Sequence, residues 1–315
     1  MADEVETMAY RREGGIPWHW KGKAVNNGMT PEEMLDASGT NWEVYKAPLY
    51  TESRSGKRVE VVDSSALLRS SDDAVLDIVG GEDWLSIQNA EAFAFFKEYC
   101  EKGQMEMETA GSLRGGRIVW VLARLKEKFE LFGGDVVQGN LLFTNYHMYG
   151  QSRDVRFTPI RVVCANTLSA ALAGKTDKVF RATHRVKVDA ETIKQTLGMV
   201  QKGMGQFKEL ASYLGSKEYT DDSLIEFFSM VFPTNSIKEG AASRNAMKAL
   251  EIVNTQPGTE YARNTWWQAV NAVTYMTDHE LGRTDDTRVY NALYGNMRDL
   301  KIRSVKMAME FAKNS

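Results

Sequence analysis

Cysteine, histidine and proline are scarce in this chain, at two, four and six residues among 315. Two cysteines cannot form a disulfide framework. Cys100 and Cys164 each sit inside an apolar helical pattern, so both are expected as buried free thiols in a reducing compartment. The histidines (His19, His147, His184 and His279) are scattered, and Asp278-His279-Glu280 places neighbours on different helix faces. With no cysteine pair, HExxH or EF-hand loop, no metal site is expected. The glycine pairs in Arg114–Arg117 and Phe132–Asp135 lack the spacing and the lysine of a phosphate-binding P-loop, so no ATP chemistry is expected and no cofactor is implied. No apolar run approaches the roughly 18 residues that a membrane span needs. The opening MADEVETMAYRREGG is acidic and polar, unlike a signal peptide, so a cytoplasmic location is expected and no membrane partner.

The composition is globular, with 43% hydrophobic and 26% charged residues. The net charge of -3 hides a gradient along the chain. Residues 1–100 carry 10 Lys and Arg against 18 Asp and Glu; residues 101–190 carry 14 against 9; the remainder balances at 15 against 15. A generally basic, sticky protein is excluded, whereas a localised anion-binding face is allowed.

The pattern predicts an irregular N-terminal arm, with Trp18, His19 and Trp20 as a packing cluster. A helix starts at Thr30-Pro31-Glu32-Glu33, where Thr30 caps, Pro31 takes the first helical position and Glu33 completes a capping box. Residues 42–50, 58–69 and 74–79 read as strands, and a helix with Phe93, Phe96 and Cys100 on one face follows. The central block reads as strands over 105–112, 117–125, 136–146 and 155–157, turning at Gly115-Gly116 and Gly133-Gly134. Thr158-Pro159 has the form of a helix start, and Ile160, Val163, Cys164, Thr167, Leu168 and Ala171 make a helical stripe that Gly174 closes. Helices are predicted near 189–214, 221–231, 237–254, 259–281 and 287–312.

These elements imply an α+β fold: an antiparallel strand meander packed on a central helix, followed by a helical C-terminal region. The expected division is a core domain with its arm over 1–185, holding the basic block 105–185, and a helical region over 186–315.

The candidate chemistry is anion binding. Arg114 adjoins the Gly115-Gly116 turn, Arg117 and Arg124 bracket a strand, and Arg153 and Arg156 flank another. Arg161 falls in the first turn of the expected helix, and Lys175, Lys178 and Arg181 follow that helix. Guanidinium forks suit phosphate oxygens. The competing reading is a solvated rim paired with Glu108, Glu127 and Asp154. Tyr146 and Tyr149, beside a polar turn, are the candidates for stacking on bases, while Trp120, Phe143 and Phe157 fit the core better. Catalytic residues are not apparent: Cys164 is on an apolar stripe, and Ser112 and Ser169 have no histidine nearby in sequence.

The segments PWH, WLSIQN, TAGSLRGGR, LLFTN, FTPIRVVCANTLSAAL and GTEYARNTWWQAVNAVTYMTDHE together resemble a phage- and plasmid-borne family carried under the domain-of-unknown-function 932 label. That family usually has glycine after Pro-Trp-His, where this chain has Trp20. The resemblance implies a mobile-element setting near replication and recombination genes. The order of elements is also similar to phage single-strand annealing proteins, an analogy of scaffold only. The expectation is therefore a single-stranded DNA-binding protein (RNA being the other option). It would act in annealing, recombination or replication without ATP or metal, as a homo-oligomer, with the Trp266-Trp267 helix as one possible subunit contact. An enzyme with converging carboxylates and a host-interaction protein are the alternatives. A deep polar pocket with paired carboxylates would favour the first.

Overall fold

The computed structural model of the chain describes residues 5–14, 22–80, 84–161, 166–167, 178–182, 190–234, 242–282 and 290–315. The chain forms two compact units that interleave in sequence. The first comprises 1–126, 141–156 and 178–198; the second comprises 127–140, 157–177 and 199–315. The boundary expected at 185/186 lies outside the described residues, as does the Trp18-His19-Trp20 cluster.

An eight-stranded sheet has the order β10-β9-β8-β7-β6-β1-β2, with β11 also paired to β9. Its strands are β1 Val5–Arg11, β2 Lys23–Val25, β6 Met105–Leu113, β7 Ile118–Leu131, β8 Asp135–Tyr146, β9 Arg153–Arg161, β10 Asn166–Thr167 and β11 Lys178–Ala182. A separate three-stranded antiparallel sheet is formed by β3 Val44–Glu52, β4 Arg58–Arg69 and β5 Val75–Gly80. The helices are α1 Pro31–Ala37, α2 Asn89–Ala94, α3 Lys97–Glu101, α4 Ala190–Gly215, α5 Asp221–Val231, α6 Arg244–Ile252, α7 Trp266–Tyr275 and α8 Asn296–Lys313. Strands dominate the first half and helices the second, so the fold is α+β.

Two expectations are corrected. The first stretch of the N-terminal arm is not irregular: β1 lies between β6, antiparallel, and β2, parallel. A glycine makes that pairing possible, because a Cβ on Gly111 would stand 2.4 Å from the Thr7 carbonyl oxygen. The pairing joins residues about a hundred positions apart, beyond the reach of local pattern. The second correction concerns Thr158-Pro159, which continues β9 rather than opening a helix. Proline drives the residue before it into extended backbone, which serves a helix cap and a strand equally well. Here the pairing of β9 with β8 decides for the strand. Asn166–Thr167 is likewise a strand, Ile160 of the expected stripe lies in β9, and Val163, Cys164, Leu168 and Ala171 lie outside the described residues.

In the first unit, Thr30 and Glu33 form the capping box read from sequence, with reciprocal bonds of 3.2 and 2.8 Å. Phe95, Phe96, Tyr99 and Phe143 pack ring on ring, with Phe96 edge-on to both Phe95 and Phe143. Cys100 is half-buried rather than buried, and burial pushes its thiol up to about 11. In the second unit, Trp266 and Trp267 are core and not a subunit surface. Trp266 packs on Phe227 and Phe311, and the Trp267 indole N–H donates to Asp135 at 3.2 Å. The backbone after Tyr275 widens into a π-helical turn, Met276–Glu280. In that turn fully buried Asp278 accepts from fully buried Lys301 at 2.7 Å.

Candidate functional site

The turn between β6 and β7 takes its shape from three successive left-handed residues: Arg114, Gly115 and Gly116, at φ 54, 63 and 84. Only glycine suits the last, because a Cβ there would meet the Arg69 guanidinium at 2.9 Å and the Trp42 ring at 3.2 Å. Arg114 is half-exposed on this turn. Arg117 reaches to β5, where its Nε donates to the Leu76 carbonyl and its Nη2 to Asp77 at 3.2 Å. The other oxygen of Asp77 accepts the backbone N–H of Tyr149 at 2.9 Å. One carboxylate thus brings together Arg117 and Tyr149, two residues 32 positions apart that the sequence singled out for one purpose. The Tyr149 ring lies against Gly80 and is 59% exposed.

Arg124 is committed elsewhere. It bonds Glu106 at 2.5 Å and lies 3.8 Å from Glu108, which in turn accepts from Arg11 at 3.0 Å. The hydrogen bond from Arg124 holds the Glu106 carboxyl below its ordinary range, assisted by the charges of Arg11 and Lys126. This network ties β1, β6 and β7 together and leaves Arg124 neutralised.

The remaining expected contacts divide into buried and undescribed. Tyr146 is buried, which removes it as a ready stacking surface. Arg153 is 2% exposed, and burial pushes its pKa down. Arg156 is buried and bonds Asp154 at 2.8 Å. Tyr146 ends β8, and Arg153 and Arg156 lie on β9, where every residue from Arg153 to Pro159 is buried, so both faces of that strand are covered. Arg161 ends β9 instead of opening a helix, and Lys178 and Arg181 lie in β11 opposite Arg156 and Asp154. The side chains of these three, and all of Lys175, lie outside the described residues.

Sequence reading passed over the β3–β4 hairpin. Its tip, Ser53 to Arg58, carries Arg54, Lys57 and Arg58 and no acidic residue. All three cations are exposed, and the Arg58 guanidinium lies 3.7 Å from the centroid of the Tyr50 ring. The signal was present as an acid-free SRSGKR within the acidic first hundred residues, but the regional balance of charge hid it.

Two surface concavities accompany this unit. One of about 640 Å³ is lined by Lys46, Glu60 and the stretch Val61–Ser65. The other, of about 420 Å³, holds Glu6, Asp36 and Arg69; there Glu6 pairs with Arg69 at 2.6 Å and Asp36 with Asn41. Their carboxylates are engaged, which leaves no free pair for acid–base work in that groove. Among the described residues no group of three or more His, Cys, Asp or Glu is placed to hold a metal ion, and no helix is long and apolar enough to cross a membrane.

No curated protein and no solved structure matches the chain. A family model does match, described as a domain of unknown function (DUF932), over residues 75–306. That span takes in β5, the Arg114–Arg117 turn, Tyr149 and most of the helical half, and excludes the β3–β4 hairpin. The chain belongs to the DUF932 family.

Proposed function

We propose that the protein binds single-stranded nucleic acid, DNA in the first place, as an ATP-independent annealing or accessory factor of phage or plasmid replication and recombination. The observation that carries this reading is an exposed aromatic, Tyr149, anchored by Asp77 beside Arg117, whose guanidinium stays one-third exposed and would exchange Asp77 for a phosphate. A stacking ring beside a guanidinium is the unit from which sequence-tolerant strand binding is built. Arg114 on the adjoining turn extends it toward a second phosphate. A mobile-element setting, a cytoplasmic location in the host and a homo-oligomeric working form accompany this reading.

Fluorescence anisotropy with a labelled 40-nucleotide strand at two salt concentrations tests it. Tyr149→Ala keeps the backbone N–H bond to Asp77 and removes only the ring. Stacking is worth about 1–3 kcal/mol per base, so affinity should fall by roughly five- to 150-fold. Arg114→Ala should weaken binding and flatten its salt dependence by about 0.7 in log–log slope, the share of one phosphate contact on a single strand. No binding by the intact chain at low salt would sink the reading.

A further inference from the structure

We propose that the β3–β4 hairpin is a nucleic-acid arm: its Ser53–Arg58 tip takes the sugar-phosphate backbone, and Tyr50 takes a base. This rests on the strand-binding reading and extends it to a part of the chain outside the DUF932 match.

The first ground is the state of the cations. Arg11, Arg69, Arg117, Arg124 and Arg156 of the same unit are each bound to a carboxylate. Arg54, Lys57 and Arg58 are exposed and take part in no ion pair among the described residues. A guanidinium already paired gives up that partner to bind phosphate, whereas a free one exchanges only water and counterions.

The second ground is packing. Tyr50, Thr51 and Glu52 on β3, and Arg58, Val59 and Glu60 on β4, are all exposed, so neither face of the distal hairpin is covered. Val62 is 77% exposed. A sheet that serves only the fold buries one face, and a bare two-stranded ribbon is marginal by itself. The turn is nevertheless well fixed. Ser53 N–H donates to the Lys57 carbonyl at 2.9 Å, Gly56 N–H to the Ser53 carbonyl at 2.9 Å, and Lys57 N–H to the Ser53 hydroxyl at 3.1 Å. An ordered tip holding three free cations is prepared for an anionic partner.

The third ground is the aromatic. Arg58 stacks on Tyr50 and holds a ring that remains 42% exposed. The arm also begins beside the site already described. Leu49 of β3 faces four residues of β4, Val61–Ser64, in a bulge with Asp63 at φ 60. Ser64 pairs with Gly80, the residue against which Tyr149 lies. A strand seated on Tyr149 and Arg117 therefore reaches the root of the arm, and the bulge sets the direction of its tip. Glu60 and Asp63 lie below the tip and confine favourable phosphate contact to it, while Glu52, the register partner of Arg58, brings one carboxylate near Gly56 without an ion pair to the tip cations among the described residues.

The test uses the full chain and the same labelled strand. Arg54→Ala/Lys57→Ala/Arg58→Ala should weaken binding at least about tenfold and lower the salt slope by about 2, the share of three phosphate contacts. Tyr50→Ala should weaken binding with the slope unchanged, and Tyr50→Phe should bind as the parent does. A photo-crosslinker at Val59 gives a readout independent of these variants, and it should label the strand. Parent-like affinity and slope in the triple variant, with Tyr149→Ala still impaired, would overturn the arm and leave the strand-binding reading standing. A parent chain that binds no strand overturns both. A triple variant with unchanged strand binding but altered mass in light scattering would overturn the arm too, and would make it a contact between copies of the chain.

Discussion

Two groups of cations in the first unit invert what their sequence surroundings imply. Arg117, Arg124 and Arg156 lie in the basic central block, yet each is held by an acid: Asp77, Glu106 and Asp154. Arg54, Lys57 and Arg58 lie in the most acidic third and are paired with none among the described residues. Regional net charge thus reports how many carboxylates are near in sequence, whereas binding depends on which are near in space. At about 4 Å an ion pair is worth several-fold more in a protein than across open water, so a single contact outweighs the regional average.

The extreme of the paired class is Lys301 with Asp278, both without exposure. Burial pushes Lys301 down, and the charge and hydrogen bond of Asp278 oppose it. Asp278→Ala takes the carboxylate from a buried ammonium and should cost about 3–5 kcal/mol in denaturant unfolding. Asp278→Leu/Lys301→Met should recover most of that loss, since an apolar pair carries no desolvation penalty. A single variant as stable as the parent would show that Lys301 finds another partner.

Arg124→Ala should be the next largest effect, roughly 1 kcal/mol of stability, because it opens the Glu106–Glu108 network with Arg11. Its effect on strand binding should be small. A large loss of binding with intact stability would place Arg124 among the available cations and break the comparison.

Acid should release the paired class progressively. Asp72 is held down to about 2, chiefly by the hydrogen bond from Arg69, and Glu106 is held low by Arg124. A depressed carboxyl contributes stability that is present above its unfolded value near 4 and is lost as pH falls through the folded value. Thermal stability should therefore hold down to about pH 5 and decline from there to about pH 2. Arg69→Ala should shrink that decline. The smallest effect belongs to the free class: the triple tip variant should change stability by less than about 0.5 kcal/mol while changing binding.

Much of the local structure was legible from sequence. The capping box at Thr30 and Glu33, the helix α5 over Asp221–Val231 and the turn at Gly115-Gly116 occur where the residues prescribe them. Each depends on contacts within about four positions, so the sequence holds every participant. β7 runs six residues past the expected Leu125, because its far half has an exposed face and loses the apolar run that marked its start. The site was legible in part. Arg117 and Tyr149 were each singled out from sequence, but nothing local shows that Asp77 joins them. Tyr146 and Arg153 have the same appearance and are buried.

The sequence alone determined the α+β class, the division between strands and helices, and the caps and turns that punctuate them, since these follow from periodicity and short-range hydrogen bonding. Tertiary structure decided that β1 joins β6, that Thr158-Pro159 continues a strand, and which arginines are neutralised. Each of those outcomes is a pairing between residues brought together by the fold. Two guanidinium groups with identical local sequence chemistry differ in availability once a carboxylate stands 3 Å from one and not the other.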